Sequence, residues 1–161
     1  MEETLSRLNE NLDRQLQLYR TLNELAGLKQ EALLRGSMQE LEQITAREER
    51  LLLEAARLEK ERLLWADEIG QEMGKAAEDL TLAELAERFP VLQGVRVELD
   101  QVIGDLQNAH ELNSQLIGQA LDVIDFTVSL VTRPDEATYA HPKRKEQNPP
   151  PTRMHLFDKM I

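Results

Sequence analysis

Three long segments of the chain repeat apolar residues at alternating intervals of three and four. That interval follows the 3.6-residue turn of an α-helix, so each segment predicts an amphipathic helix with a single apolar stripe. The segments run from about Glu3 to Leu34, from Met38 to about Met73, and from about Val91 to Val131. This pattern leaves little room for strands and favours a bundle of long helices.

The residues between these segments are typical of helix ends. Gly36 is placed to end the first helix in a left-handed conformation, and Ser37 to Glu40 predicts a capping box at the start of the second. Thr81 to Glu84 predicts another capping box, opening a short helix that Phe89-Pro90 ends. Short connections join antiparallel neighbours. We therefore predict an all-α, antiparallel, coiled-coil-like bundle of three to four helices.

Composition and charge exclude several classes of protein. The formal net charge of −11 disfavours nucleic acid as a partner, because phosphate binding requires Lys and Arg. The chain has no Cys, so neither a disulfide framework nor thiol chemistry is expected. The first residues are acidic, without the apolar stretch of a secretory signal, and no window approaches 18 apolar residues. We expect a cytoplasmic protein that does not insert into membranes.

The sequence lacks the patterns of a catalytic or cofactor site. His110 falls within a predicted helix, and His141 and His155 lie after the last helix. No metal-binding His pair, glycine-rich phosphate loop or nucleophile elbow is present in the sequence. We therefore expect no enzyme activity, no metal and no cofactor.

Two charged residues interrupt the apolar stripe of the second helix. Glu48 and Arg62 occupy positions where the spacing calls for an apolar residue. We expect them at the edge of the stripe or paired across helices, and the alternative is that they fix the register of the bundle.

The last long helix carries a seam for packing in the bundle. At 100° per residue, its seam falls within one narrow sector. The seam consists of Leu92, Val95, Leu99, Val102, Leu106, Asn113, Ile117, Ala120, Ile124, Val128 and Val131. Asn113 is polar in this apolar row, so it needs a hydrogen-bond partner or reduces stability.

A neighbouring sector of the same helix changes character along its length. Its first half is polar and suits water, with Glu98, Gln101, Asp105 and Asn108. Its second half is apolar, with Leu112, Leu116, Val123, Phe126 and Leu130. A bundle helix needs only one apolar stripe. The extra face fits intrachain core, a homodimer contact or a binding site for an amphipathic partner helix.

Residues 133–161 differ in composition from the rest. They hold six Lys or Arg and four Asp or Glu, a net charge of +2 that leaves −13 on residues 1–132. They include Pro149-Pro150-Pro151, and such a segment cannot bury enough apolar surface to fold alone. We predict a helical bundle domain, 1–132, and a flexible basic tail, 133–161. Its last eight residues, 154–161, form a short apolar segment with the potential to dock elsewhere.

Several of these positions resemble the FlgN-type flagellar export chaperones. The first hairpin is similar in Leu33 to Ser37, in Leu41 and in Arg47 to Leu52. The last helix is similar in Glu111 to Ile117, and Ala137 to Tyr139 resembles the tyrosine-containing start of the family's tail. The resemblance covers nearly the whole chain.

The tail departs from the family pattern in two places. Ala140 and His141 follow Tyr139, where the family usually has Gly, and Pro149-Pro150-Pro151 interrupts the segment. Both departures concern the contacts that the tail makes, and neither concerns the residues of the hairpin and last helix that resemble the family.

The resemblance implies a chaperone of hook-associated proteins, the subunits of the junction between hook and filament. Such a chaperone binds the C-terminal helices of these subunits, prevents their premature assembly and delivers them to the export gate. The expected client-binding residues are Leu112, Asn113, Leu116, Val123, Phe126 and Leu130. Tyr139 is the expected contact with the export gate. The alternative function is a structural or adaptor coiled-coil protein that self-associates, for example as a homodimer.

Overall fold

The structure, a computed structural model, describes residues 1–132, with the helical backbone but not the side chains of residues 123–128 and 130–132. The helices are α1 (Glu2–Arg35), α2 (Met38–Met73), α3 (Leu82–Arg88) and α4 (Gln93–Thr132), with short 3-10 turns at Ala77–Asp79 and Pro90–Leu92. No residue in this range lies in a strand. The all-α prediction is confirmed. The predicted tail, 133–161, lies outside the described residues.

The turn between α1 and α2 depends on a glycine and a serine. Gly36 has a φ of 68°, and its N–H donates to the carbonyl of Leu33 at 3.2 Å. The Ser37 hydroxyl accepts the Glu40 N–H at 3.4 Å, as predicted. The prediction of a full capping box is wrong, because the Ser37 N–H does not donate to the Glu40 carboxylate. The Ser37 N–H already donates to Ala32 at 3.0 Å, and the Glu40 carboxylate pairs with Arg35 instead.

The second predicted capping box, at the start of α3, is complete. The Thr81 hydroxyl accepts the Glu84 N–H at 3.2 Å, and the Glu84 carboxylate accepts the Thr81 N–H at 3.3 Å. Lys75 donates to the same carboxylate at 2.8 Å, and this hydrogen bond is the main reason that the pKa of Glu84 is lowered. The helix ends at Arg88, before Phe89-Pro90, as predicted.

Helix α1 lies at the centre of the bundle and packs against both α2 and α4. It is antiparallel to α2, because Asn11 donates to the carbonyl of Leu58 while Lys29 pairs with Glu48. It is parallel to α4, because Arg20 pairs with Glu98 while Asn113, further along α4, donates to the carbonyl of Ala26. The short α3 lies between α2 and α4 in the chain, and its Leu82, Leu85 and Ala86 are buried in the core.

Two hydrophobic clusters fill the bundle. The larger takes buried residues from all four helices, including Leu12, Leu58, Leu85 and Leu99. The smaller lies at the other end, around Leu25, Ala32 and Ile44, with Leu41 and Leu51 packed against it. All of its members belong to α1 or α2, and no described side chain of α4 joins it. Among the described side chains, those of α1 and α2 alone form the core at that end.

The two charged residues that interrupt the α2 stripe differ in their surroundings. Glu48 pairs across helices with Lys29 at 2.8 Å, as predicted. For Arg62 the prediction of an edge or cross-helix position is wrong, because its side chain is only 2% exposed and pairs with Glu59 of its own helix. Its long stem fills space between helices, and the counter-ion three residues earlier enters the bundle with it.

Candidate binding face on helix α4

The first half of α4 packs as the sequence predicts. Its seam residues Leu99 and Val102 are buried in the larger cluster, and Leu106 packs against that cluster while half-buried. The neighbouring polar sector faces solvent: Glu98, Gln101, Asp105 and Asn108 are all exposed. This half of the helix serves the bundle alone.

Asn113 is the last residue of α4 whose side chain is buried, among those that the structure describes. Its side chain is 4% exposed, and its amide Nδ2 donates to the Ala26 carbonyl of α1 at 2.8 Å. Its Oδ1 has no hydrogen-bond partner among the described residues. After Asn113, no described side chain of α4 is buried.

The predicted seam is wrong at Ile117 and Ala120, whereas the side chains of its last members, Ile124, Val128 and Val131, lie outside the described residues. Ile117 is 38% exposed and Ala120 is exposed, although both continue the stripe that is buried in the first half. Leu112 and Leu121 are about equally open, at 41% and 40%, and Leu116 is half-buried. Periodicity defines which residues share a face, whereas cover requires a neighbouring helix, and here α1 and α2 pack on each other instead.

We call the surface formed by Leu112, Leu116, Ile117, Ala120 and Leu121 the open face. It contains two of the predicted client-binding residues, Leu112 and Leu116. The side chain of Asn113, a third predicted residue, is buried against α1 with its donor occupied, and its role in client binding stays a prediction. The side chains of Val123, Phe126 and Leu130, and the whole of Tyr139, lie outside the described residues.

Sequence reasoning missed three members of the open face. Ile117 and Ala120 were assigned to the seam and Leu121 was not singled out. A signal was available in Leu121, which widens the apolar sector on the side opposite Leu112. The spacing of apolar residues does not indicate where α1 and α2 stop covering α4.

The open face is a favourable site for apolar contact. Fully burying a Leu or Ile side chain contributes about 1.5–3 kcal/mol. Leu112, Ile117 and Leu121 each retain about 40% of their exposure, so covering the three contributes roughly 2–4 kcal/mol from this chain's side. Contiguous exposed apolar residues on a folded protein are typical of interaction sites.

The charge on α4 adds an electrostatic preference. Between Arg96 and Arg133 there is no Lys or Arg, whereas the same stretch holds six acidic residues. These are Glu98, Asp100, Asp105, Glu111, Asp122 and Asp125. A partner with basic residues beside its apolar surface is therefore attracted to α4, by an interaction that salt screens beyond roughly 8–10 Å.

The described residues offer no site for metal chemistry or membrane insertion. Within residues 1–132, no group of three or more His, Cys, Asp or Glu side chains is arranged to hold a metal ion. The helices in this range are also too polar, over any stretch of sufficient length, to cross a membrane.

Comparison with known proteins gives one family. The model of the family described as FlgN protein matches residues 1–147, which include the whole bundle and the open face. No curated protein and no solved structure gives a significant match to the chain.

Proposed function

The chain belongs to the FlgN family of flagellar export chaperones, and from this premise we propose that the open face of α4 binds the C-terminal amphipathic helices of hook-associated proteins. The observation that supports this proposal is the uncovered stripe after Asn113, where the bundle leaves Ile117, Ala120 and Leu121 open to solvent. An amphipathic helix laid along α4 would bury its own apolar side against these residues.

The proposed chaperone role follows because such binding covers the terminal helices through which the client assembles. A hook-associated protein that assembles through its terminal helices cannot do so while those helices are held on α4. Roughly 2–4 kcal/mol from this side of the contact, less the cost of ordering the client, gives moderate affinity. Moderate affinity suits a client that is handed on to the export gate. The proposed activity is binding in the cytoplasm, without catalysis or cofactor.

The test introduces charge into the open face without disturbing the core. Leu112→Asp with Leu121→Asp changes two residues that are about 40% exposed, so the chain should keep its helical circular dichroism, with a modest loss in the unfolding midpoint. Binding is measured by fluorescence anisotropy with a labelled peptide carrying the C-terminal helix of a hook-associated protein. We expect affinity to fall by at least tenfold, since two carboxylates would be buried in the contact.

The matched control makes the same change elsewhere on the surface. Leu53→Asp with Leu64→Asp replaces two leucines of α2 that are 73% and 68% exposed, away from α4. We expect affinity within twofold of the unmodified chain. Loss of binding in the α2 variant alone would move the client site to α2. A chain that forms dimers through the open face and binds no client peptide would establish the self-associating alternative.

A further inference from the structure

Residues 154–161 of the chain have the sequence pattern of a ligand for the open face. On a helical wheel, the apolar residues of this octapeptide fall in one half and the polar residues in the other. The apolar residues are Met154, Leu156, Phe157, Met160 and Ile161; the polar ones are His155, Asp158 and Lys159. The chain thus contains a segment with the amphipathic pattern that the open face is proposed to bind.

The lengths of ligand and face agree. Eight residues in helical form span about 12 Å, and the open face from Leu112 to Leu121 spans about 14 Å, at 1.5 Å per residue. A two-turn helix therefore covers the stripe from one end to the other.

The intervening chain is long enough to return. Residues 133–153 supply 21 residues between α4 and the octapeptide. For a polypeptide of that length without secondary structure, the mean end-to-end distance is about 25 Å. The open face begins at Leu121, about 17 Å back from Thr132, and ends at Leu112, about 30 Å back. Intramolecular binding is strongest when the length of the connection matches the span in this way.

The charges also agree. Residues 133–161 carry a net +2, and their basic run Lys143-Arg144-Lys145 precedes the octapeptide. The stretch of α4 that bears the open face has acidic residues and no Lys or Arg. Returning the tail along α4 therefore brings opposite charges together.

We infer that residues 154–161 dock on the open face of their own chain and are displaced when a client helix binds. This inference rests on the proposed function for the identity of the displacing ligand, whereas the docking itself is independent of it. Docking shields the apolar stripe between clients. It also sets a threshold, because only a helix that binds better than the octapeptide at its effective concentration occupies the face.

A disulfide test detects the docking without any client. The chain has no native cysteine, so two introduced cysteines report on each other alone. Met154→Cys lies at the edge of the octapeptide's apolar half, and Ala120→Cys lies on the open face. Under mild oxidation at low protein concentration, we expect this pair to form an intramolecular disulfide. The rate is followed by non-reducing electrophoresis.

The control pair is Met154→Cys with Ala46→Cys. Ala46 is exposed on α2 at about the same height in the bundle, because the nearby Glu48 pairs with Lys29 just beyond Ala26. We expect its disulfide to form at least tenfold more slowly. Equal rates for the two pairs would overturn the inference, since they would describe a segment with no preferred site.

A competition test measures the consequence for client binding in the full chain. Leu156→Ser with Phe157→Ser removes the apolar side of the octapeptide, whereas Asp158→Ser with Lys159→Ser removes its polar side; neither pair changes the net charge. An octapeptide held at an effective concentration roughly two to four times its dissociation constant, with both in the millimolar range, should weaken client binding about three- to fivefold. We expect the first pair to raise affinity for the hook-associated helix roughly three- to fivefold and the second to leave it within twofold.

The two tests separate this inference from the proposed function. If the client helix binds all variants with equal affinity and the disulfide rates are equal, the docking inference fails while the proposed function stands. If the Ala120 disulfide forms selectively and no variant binds the client helix, the octapeptide is the ligand of the open face and the proposed function fails.

Discussion

The side-chain amide of Asn113 donates to the carbonyl oxygen of Ala26 at 2.8 Å, which joins α4 to α1 at the last covered position of the α4 seam. Before this hydrogen bond, α4 is a structural helix with a buried stripe. After it, Ile117 and Ala120 of the same stripe are exposed. A single polar contact thus lies at the boundary between the half of α4 that packs in the bundle and the part that carries the open face.

Two substitutions at Asn113 should distinguish the contribution of its N–H donor to stability from that of the rest of the side chain. Asn113→Leu removes the amide together with its unpaired Oδ1, and we expect the free energy of unfolding to stay the same or rise by about 1 kcal/mol. Asn113→Asp removes the donor and sets a buried carboxylate against a carbonyl, so we expect a loss of about 2–4 kcal/mol. Urea unfolding at pH 7 measures both. Equal losses in the two variants would mean that the size of the side chain matters more than its donor.

Replacing the half-buried Glu59 and replacing its buried partner Arg62 should change the free energy of unfolding by different amounts. Glu59→Gln leaves the Arg62 charge buried with one guanidinium nitrogen, Nη1, already unpaired among the described residues. We expect it to lower the free energy of unfolding by about 2–4 kcal/mol. Arg62→Met removes the buried charge itself and should be within about 1 kcal/mol of neutral or stabilising. Thermal unfolding of both variants tests this order, and the reverse order would contradict it.

Two helical glycines should give opposite results when changed to alanine. A Cβ at Gly104 meets no atom within 4 Å, so Gly104→Ala should stabilise α4 by about 0.5–1 kcal/mol through helix propensity. A Cβ at Gly70 would lie 2.5 Å from the Lys75 carbonyl oxygen, which belongs to the backbone of the turn after α2. Gly70→Ala should therefore destabilise the protein. Comparison of the two unfolding midpoints provides the measurement, and a gain in both would show that the turn yields without cost.

The phenol of Tyr19 should resist ionisation in the folded chain. Burial raises its pKa above the ordinary value of 10.0, and the nearby Glu59 carboxylate adds to the effect. Folded chain then keeps a proton that unfolded chain releases near pH 10, so the free energy of unfolding should fall as the pH rises above about 10. In a Tyr139→Phe chain, tyrosinate absorbance reports Tyr19 alone. Ionisation at the ordinary pKa while the helices remain intact would contradict this prediction.

Tyr139, which lies outside the described residues, stays a prediction as the contact with the export gate. Tyr139→Ala should leave binding of the hook-associated helix unchanged and weaken binding to the gate, because the client and the gate would use different parts of the chain. Thr138→Ala is the neighbouring control. Gate binding measured by pulldown with the purified gate component decides the matter, and unchanged binding in Tyr139→Ala would remove the tyrosine from the mechanism.

The sequence by itself determined the local structure. Apolar spacing predicted the three long helices, and Gly36, Thr81 and Pro90 predicted where helices end and begin. These features depend on backbone geometry and on side chains a few residues apart, so nearby sequence specifies them. The predicted hydrogen bond from the Ser37 N–H to the Glu40 carboxylate does not form, because that N–H donates to the Ala32 carbonyl of the preceding helix. The family was also recognisable from the sequence, through residues of the hairpin and of the last helix.

Only the tertiary structure decided which apolar residues are covered. Leu99 and Ile117 belong to one helical stripe, yet Leu99 is buried and Ile117 is open, because α1 and α2 pack on each other at the end of the bundle where Ile117 lies. Arg62 likewise interrupts an apolar stripe in the sequence and becomes a buried residue through its pairing with Glu59. Periodicity assigns a residue to a face of its own helix, whereas burial depends on the helices that lie beside that face.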